Sequence, residues 1–231
     1  DWLGAVELYR EALQLAPASP PTGSPPFEPV ADAWQRAGFC YSLASRQAGD
    51  SEEFRKLGQL AVDAYRSAAE LLEKSESLRD QGGSAQCNAM AEYLSSWLAT
   101  TPEEKREALD RSLTFGKKGL EAFEKTGDEL SYGKMCNDLL LMILEKLYVA
   151  SDGKELLEVA KEGVDCANKA VTVLSKHGDK EELLRAYYTS SLVCWYAANV
   201  SEQESEGKEL VQNSLSYADK SLDLSREIGN P

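Results

Sequence analysis

Histidine is nearly missing from this 231-residue chain: His177 stands alone. The five cysteines, Cys40, Cys87, Cys136, Cys166 and Cys194, are widely spaced and form no Cys-x-x-Cys. Without such pairs or a second histidine, a Cys/His metal site lacks its ligands, and no metal or cofactor is expected. Basic residues are also scarce. Lys and Arg number 25 against 39 Asp and Glu, a net charge of −14. Such a field repels phosphate backbones and anionic membranes, so nucleic acid is not an expected partner. Long apolar runs are absent too. Leu139–Leu144 is far shorter than the ~20 residues of a spanning helix, so no membrane insertion is expected. The opening Asp1-Trp2-Leu3-Gly4 lacks the basic start and apolar stretch of a signal peptide.

Catalytic patterns are likewise missing. There is no His-Glu-x-x-His, and Gly82-Gly83-Ser84 lacks the Gly-Lys-Ser/Thr of a phosphate loop, which leaves it as a turn before a helix. The acidic pairs Glu52-Glu53, Glu103-Glu104 and Glu181-Glu182 fall in first helical turns, where carboxylates complement the helix dipole. His177, in an interhelix turn, suits the C-terminal end of a helix. The expectation is a protein that is not an enzyme. The odd cysteine count, with each thiol among apolar neighbours, reads as small buried hydrophobes in a reducing, cytoplasmic (intracellular) setting. Asn199-Val200-Ser201 matches a glycosylation sequon, but nothing else in the chain suggests secretion.

What is present is a repeat. A shift of 51 residues superposes four segments without gaps. Val62, Leu113, Val164 and Leu215 align, as do Tyr65, Gly116, Ala167 and Ala218. Two further columns are Ala69, Leu120, Val171, Leu222 and Leu72, Phe123, Leu174, Ser225. Steps of three, four and three residues trace one stripe of an α-helix, the face that buries. Asp50, Thr101, Asp152 and Ser201 are each followed three residues on by Glu53, Glu104, Glu155 and Glu204, the spacing of a capping box. Asp179 with Glu182 gives another, Pro102 suits a first helical position, and Gly127-Asp128 and Gly229-Asn230 read as stops. Partner helices are expected near 31–48, 84–99, 131–149 and 181–198. About three quarters of the chain should be helix, against roughly one third in ordinary globular domains.

Residues 17–29 hold six of the eight prolines, which reads as irregular chain. The expected organisation is one solenoid over 1–231: a half repeat at 1–17, a Pro-rich loop at 18–30, and repeats at 31–80, 81–130, 131–180 and 181–231. Residues 2–16 read as a second-type helix with no first helix before it. Trp2, Leu3, Val6 and Leu13 open the chain without a polar cap, so a piece of a longer solenoid, able to self-associate through uncapped ends, is expected.

Trp34-x-x-Ala37-Gly38-x-x-Tyr41 resembles the first-helix signature of tetratricopeptide repeats. Ala61-x-x-x-Tyr65-x-x-Ala68, and Ala5-x-x-x-Tyr9-x-x-Ala12 followed by Pro17, resemble the second-helix signature. Later repeats keep its small residues, as in Gly163-x-x-x-Ala167-x-x-Ala170. The period of 51 exceeds the family's ~34, which points to its long-helix relatives. The resemblance implies an all-α fold, a right-handed α-solenoid of antiparallel helix pairs, whose first helices (A) line a concave groove.

On that implication the groove candidates are Gln35, Arg36, Phe39, Asn88, Glu92, Lys134, Asn137 and Tyr188. Asn88 and Asn137 follow Cys87 and Cys136, 49 residues apart, and could hold a ligand's backbone. The expected function is a protein-interaction scaffold, part of a larger adaptor or regulator, binding a peptide or helix of basic character. The alternative is a ligand-sensing segment of a signalling regulator. An enclosed apolar pocket would favour the sensor, an open groove the scaffold.

Overall fold

In a computed structural model, the residues described are 2, 4, 5, 7, 8, 11, 27–177 and 179–229. Among them there are helices and no strand. From residue 27 onward eight follow in order: α1 (Phe27–Arg46), α2 (Ser51–Leu72), α3 (Leu78–Leu98), α4 (Pro102–Thr126), α5 (Glu129–Val149), α6 (Gly153–His177), α7 (Lys180–Val200) and α8 (Glu204–Glu227). The described residues before 27 are also helical. No described helix is long and apolar enough to cross a membrane. Most of the half repeat at 1–17 and the proline-rich 18–26 lie outside the described residues.

Helix starts follow their caps. Asp50 accepts from the Glu52 and Glu53 N–H groups at 2.9 and 2.8 Å, while the Glu53 carboxylate accepts from Gly49 N–H. Thr101 and Glu104 exchange bonds at the head of α4, where Pro102 takes the first position. Asp152 accepts from Glu155 N–H at 2.9 Å, and Glu155 reaches back to Ser151. Asp179 caps α7 through Glu182 N–H at 3.1 Å. Each bond satisfies an amide that the helix itself leaves without an acceptor. Gly127 and Gly229, at φ 67° and 71°, make the left-handed stops after α4 and α8.

Three local expectations need correction. Ser201 and Glu204 form no capping box: α8 starts at Glu204 after an uncapping Gln203, and Ser201 donates instead to Glu206 at 2.7 Å. Gly82-Gly83-Ser84 is not a turn but lies inside α3, whose start is set by Ser77. Its glycines are tolerated because a helix arrives there: a Cβ on Gly82 would stand 2.8 Å from the Phe123 ring. Pro29 is helical, in the first turn of α1, where its missing N–H costs nothing. The repeat boundaries at 31, 81, 131 and 181 fall just inside α1, α3, α5 and α7, which start at Phe27, Leu78, Glu129 and Lys180.

The chain divides into two compact units, Asp1–Thr126 and Gly127–Pro231. In the first, α2 packs on both α1 and α3, and α3 on α4. Its core includes Val62, Tyr65, Leu94, Leu109 and Phe123. Ala37, Gly38 and Tyr41 on α1 and Ala61, Tyr65 and Ala68 on α2 are buried here. Gly38 lets the Tyr65 ring approach to 2.8 Å of where its Cβ would be. In the second unit α6 packs on α5 and α7, α7 also packs on α5, and α8 packs on α7. Met135, Leu139, Leu140, Ile143, Leu174 and Val193 form its centre. The repeat stripe is buried or half-buried on α2, α4 and α6. On α8 it is not: Leu215 and Leu222 are 62% and 50% exposed and Ala218 is exposed. Among the described residues α8 packs on α7 alone.

Candidate protein-binding surfaces

Of the eight groove candidates, five lie in the first unit and three in the second. On α1, Phe39 is exposed and meets the Trp2 ring edge-on, centroids 6.3 Å apart. Arg36, one turn earlier, is exposed and pairs with Asp32 at 2.7 Å, and Gln35 is half-buried beside it. These three share a helix face.

On α3 the candidates serve packing. Glu92 accepts from Arg66 of α2 at 3.2 Å and from Arg111 of α4 at 2.7 Å, so one carboxylate ties both flanking helices together. Asn88 donates to Glu73 at 3.3 Å, at the C-terminal end of α2.

On α5, Lys134 pairs with Asp179 at 3.4 Å. Asn137 is fully buried and donates to the backbone oxygen and carboxylate of Glu182 at 3.1 and 2.9 Å. It therefore cannot line an open groove. The resemblance placed it on a groove-lining A helix, but its side chain lies where α7 docks and is a strut between α5 and α7. Arg185 joins the same seam, bonding Asp138 at 3.0 Å and Glu182 at 2.7 Å.

Tyr188, by contrast, is 58% exposed on α7. It borders an open groove of about 510 Å³ between α7 and α8, with Leu184, Ser191, Ala218, Ser221 and Leu222 among its walls. In the first unit a smaller hollow of about 190 Å³, walled by Gln59, Leu98 and Arg111 among others, lies between α2, α3 and α4.

Sequence reasoning missed an aromatic group at the C-terminal ends of α5 and α7. Tyr148 and Trp195 are exposed, and each meets the Tyr196 ring edge-on at 5.2 and 4.9 Å. The Tyr148 hydroxyl pushes the Tyr196 phenol up to about 12. In the other unit Arg46 of α1 lies 4.7 Å over the Trp97 ring of α3. The available signal was Tyr187-Tyr188 and Trp195-Tyr196 within one predicted A helix, a density of large aromatics beyond what a two-sided core helix needs.

All five cysteines are buried free thiols. Cys166 donates to the Cys136 carbonyl at 3.1 Å, and the contact with Cys136, with burial, pushes its thiol well up. Burial pushes Cys194 to about 11. Thiols held protonated in this way are poor nucleophiles. His177 sits 3.5 Å from the Glu129 carboxylate, at the end of α6.

No family model matches the chain, and no curated protein does. Among solved structures, a chain described as "Computational Design of Self-Assembling Cyclic Protein Homooligomers" is 12% identical, with 98% of this chain and 95% of that one covered and a TM-score of 0.45. A chain of the "DHF58 filament" is 19% identical, with 98% and 96% covered and a TM-score of 0.37. Neither likeness bears on function.

Proposed function

We propose that this chain is a protein-interaction scaffold whose A-type helices carry the contact surface for a partner of basic character. The observation that carries the reading is where the large aromatics are exposed. Of the five large aromatics exposed among the described residues, Phe39, Tyr148, Tyr188 and Trp195 lie on α1, α5 or α7, and the fifth, Trp2, meets Phe39. Exposed Tyr and Trp are the side chains from which interfaces draw most of their binding energy. The surplus of carboxylates supplies a field that speeds association with a cationic partner. The five buried thiols suit a reducing compartment.

The architecture behind this reading is tetratricopeptide-like: antiparallel helix pairs that stack within each unit in a right-handed sense. Contacts between α2 and α3 support the pairing, since the partner's number falls as the first rises: Gly58 with Leu98, Arg66 with Glu92, Glu73 with Ser84. Contacts between α5 and α7 rise together, as Lys134 with Asp179, Asp138 with Arg185 and Tyr148 with Tyr196, which suits A helices stacked side by side. The groove on α7 and α8 is open, which favours a scaffold over a sensor enclosing a small ligand.

A photo-crosslinking amino acid placed singly at Phe39, Tyr148, Leu60 or Lys161 in cells tests the proposal. Discrete adducts are expected from the first two, on A helices, and none from the last two, on α2 and α6. Adducts confined to Leu60 and Lys161 would overturn it. Association measured with the trapped partner should slow as salt rises, through screening of the acidic surface.

A further inference from the structure

Two of the five thiols face each other. Cys136 of α5 and Cys166 of α6 meet where these helices pack. The Cys166 thiol donates to the Cys136 backbone oxygen at 3.1 Å, and the two side chains also hydrogen-bond each other. The helices run close together around them. A Cβ on Gly133, one turn before Cys136, would stand 2.9 Å from Val173, and one on Gly163, one turn before Cys166, would stand 2.9 Å from Ile143. The pair lies between these two points of close approach on both helices. A disulfide needs Cβ atoms about 3.5–4.5 Å apart, which two helices reach only where their backbones approach in this way.

The surroundings of the two sulfurs differ. Hydrogen bonds from Cys166 and from Tyr132, one turn earlier on α5, together with the Lys169 charge, pull the Cys136 thiol down against burial and the Asp138 carboxylate. The bond to Cys136, burial and the Glu162 carboxylate push Cys166 up. One sulfur is thus favoured as thiolate and its neighbour keeps a proton, the roles of an attacking and a resolving cysteine. Cys194, by contrast, is pushed up by burial alone. The pair lies close beneath the surface. Cys166 is 6% exposed with exposed Asp165, Asn168 and Lys169 about it, and Cys136 lies behind it, fully buried.

We infer that Cys136 and Cys166 are an oxidation site, closing to an intrachain disulfide between α5 and α6 when the chain meets hydrogen peroxide and reopening when a dithiol reduces it. The oxidant is little larger than water and reaches the sulfurs from the Cys166 side as the seam opens locally. The Cys136 thiolate attacks one peroxide oxygen. An S–O bond forms, the O–O bond breaks, and the departing hydroxide takes up the proton that Cys136 gave to solvent. The Cys166 sulfur then attacks the Cys136 sulfenic sulfur. The S–S bond forms, the S–O bond breaks, and the hydroxide leaves as water with the Cys166 proton. Two thiols lose two electrons and two protons, and one peroxide becomes two waters. The bridge joins residues 30 apart in sequence, both inside the second unit.

The test exposes the full folded chain to hydrogen peroxide, then alkylates it, counts free thiols after unfolding and maps the digest by mass. Two of the five thiols should be lost, with the chain lighter by two hydrogens and one peptide pair joining Cys136 to Cys166. Dithiothreitol should restore all five. Cys166→Ser should leave a sulfenic acid on Cys136 that dimedone traps, while Cys136→Ser should take up no dimedone and form no bridge. Cys194→Ser should still close the pair. Circular dichroism checks that each variant keeps its helices, and the unsubstituted chain decides the question by itself. Five thiols surviving in the folded chain under a treatment that oxidises the urea-unfolded chain would overturn the inference. So would a bridge between any other two cysteines, within one chain or between two.

Discussion

α6 and α8 are the same element met twice, 51 residues apart, and they end up in different surroundings. Ala167 and Ala218 are identical residues at equivalent positions; the first is fully buried and the second is exposed. Ala160, Gly163, Cys166, Ala170 and Leu174 are also buried on α6, which packs between α5 and α7. On α8 only Leu210 and Ser221 are buried, both toward α7. The starts differ as well. α6 is capped by Asp152 and braced by Glu155, while α8 begins after Gln203 with no side-chain cap. A stripe in the sequence marks the face a helix can bury. Whether it does depends on a neighbour on the far side.

The comparison can be strained most by removing volume. Leu174 is fully buried on α6, so Leu174→Ala should cost about 3 kcal/mol, the lost transfer energy plus a cavity. Leu222→Ala on α8 should change stability by less than about 0.5 kcal/mol, because half of that side chain is already wet. Denaturant titration of the two variants checks both.

Next is the brace on α6. The Lys146 ammonium is buried and pairs with Glu155 at 2.9 Å. Bonds from Ser151 and Lys146 hold the Glu155 carboxyl down at about 2. Glu155→Gln should destabilise by about 2 kcal/mol at neutral pH by leaving a buried cation short of its counter-charge. The folded pKa lies below the unfolded value of about 4.3, so the carboxylate's contribution is complete above that pH and fades as pH falls toward 2. The gap in melting temperature between wild type and Glu155→Gln should thus hold from pH 7 to about 5 and close below it. A gap that widened in acid would contradict the assignment.

A smaller effect is expected at Gly163. Alanine gains about 1 kcal/mol in helix propensity, but its Cβ would stand 2.6 Å from Val193 and 2.9 Å from Ile143. Overpacking of that kind costs about 1–3 kcal/mol, so Gly163→Ala should lose about 1 kcal/mol net. A stabilised Gly163→Ala, seen as a higher denaturation midpoint, would mean that α7 sits farther from α6 than it does here.

Much of this was legible in the sequence. The stripes of Val62, Tyr65 and Ala69 and the caps at Asp50, Thr101, Asp152 and Asp179 placed the B helices and α7 because both signals are local. Ser201 misled because its spacing to Glu204 matches a capping box while its hydroxyl has a competing acceptor in Glu206. Gly82-Gly83 misled because glycine marks a turn and also marks close helix packing, and only Phe123, forty residues on, decides between them. The surface candidates were harder still. Asn137 and Tyr188 are both A-helix residues on the right face, yet one is sealed by α7 and the other is open. No periodicity within a helix distinguishes them, since the difference lies in the next helix along.

The most direct measurement is therefore a matched pair, Ala167→Glu on α6 and Ala218→Glu on α8, each followed by thermal unfolding monitored by circular dichroism. Ala167→Glu should collapse the second unit, since a carboxylate would be buried without a partner. Ala218→Glu should keep its helical content and unfold near the wild-type temperature. If Ala218→Glu unfolded the chain as readily as Ala167→Glu, the α8 face would be core and not a free surface, and the distinction between the two helices would fall.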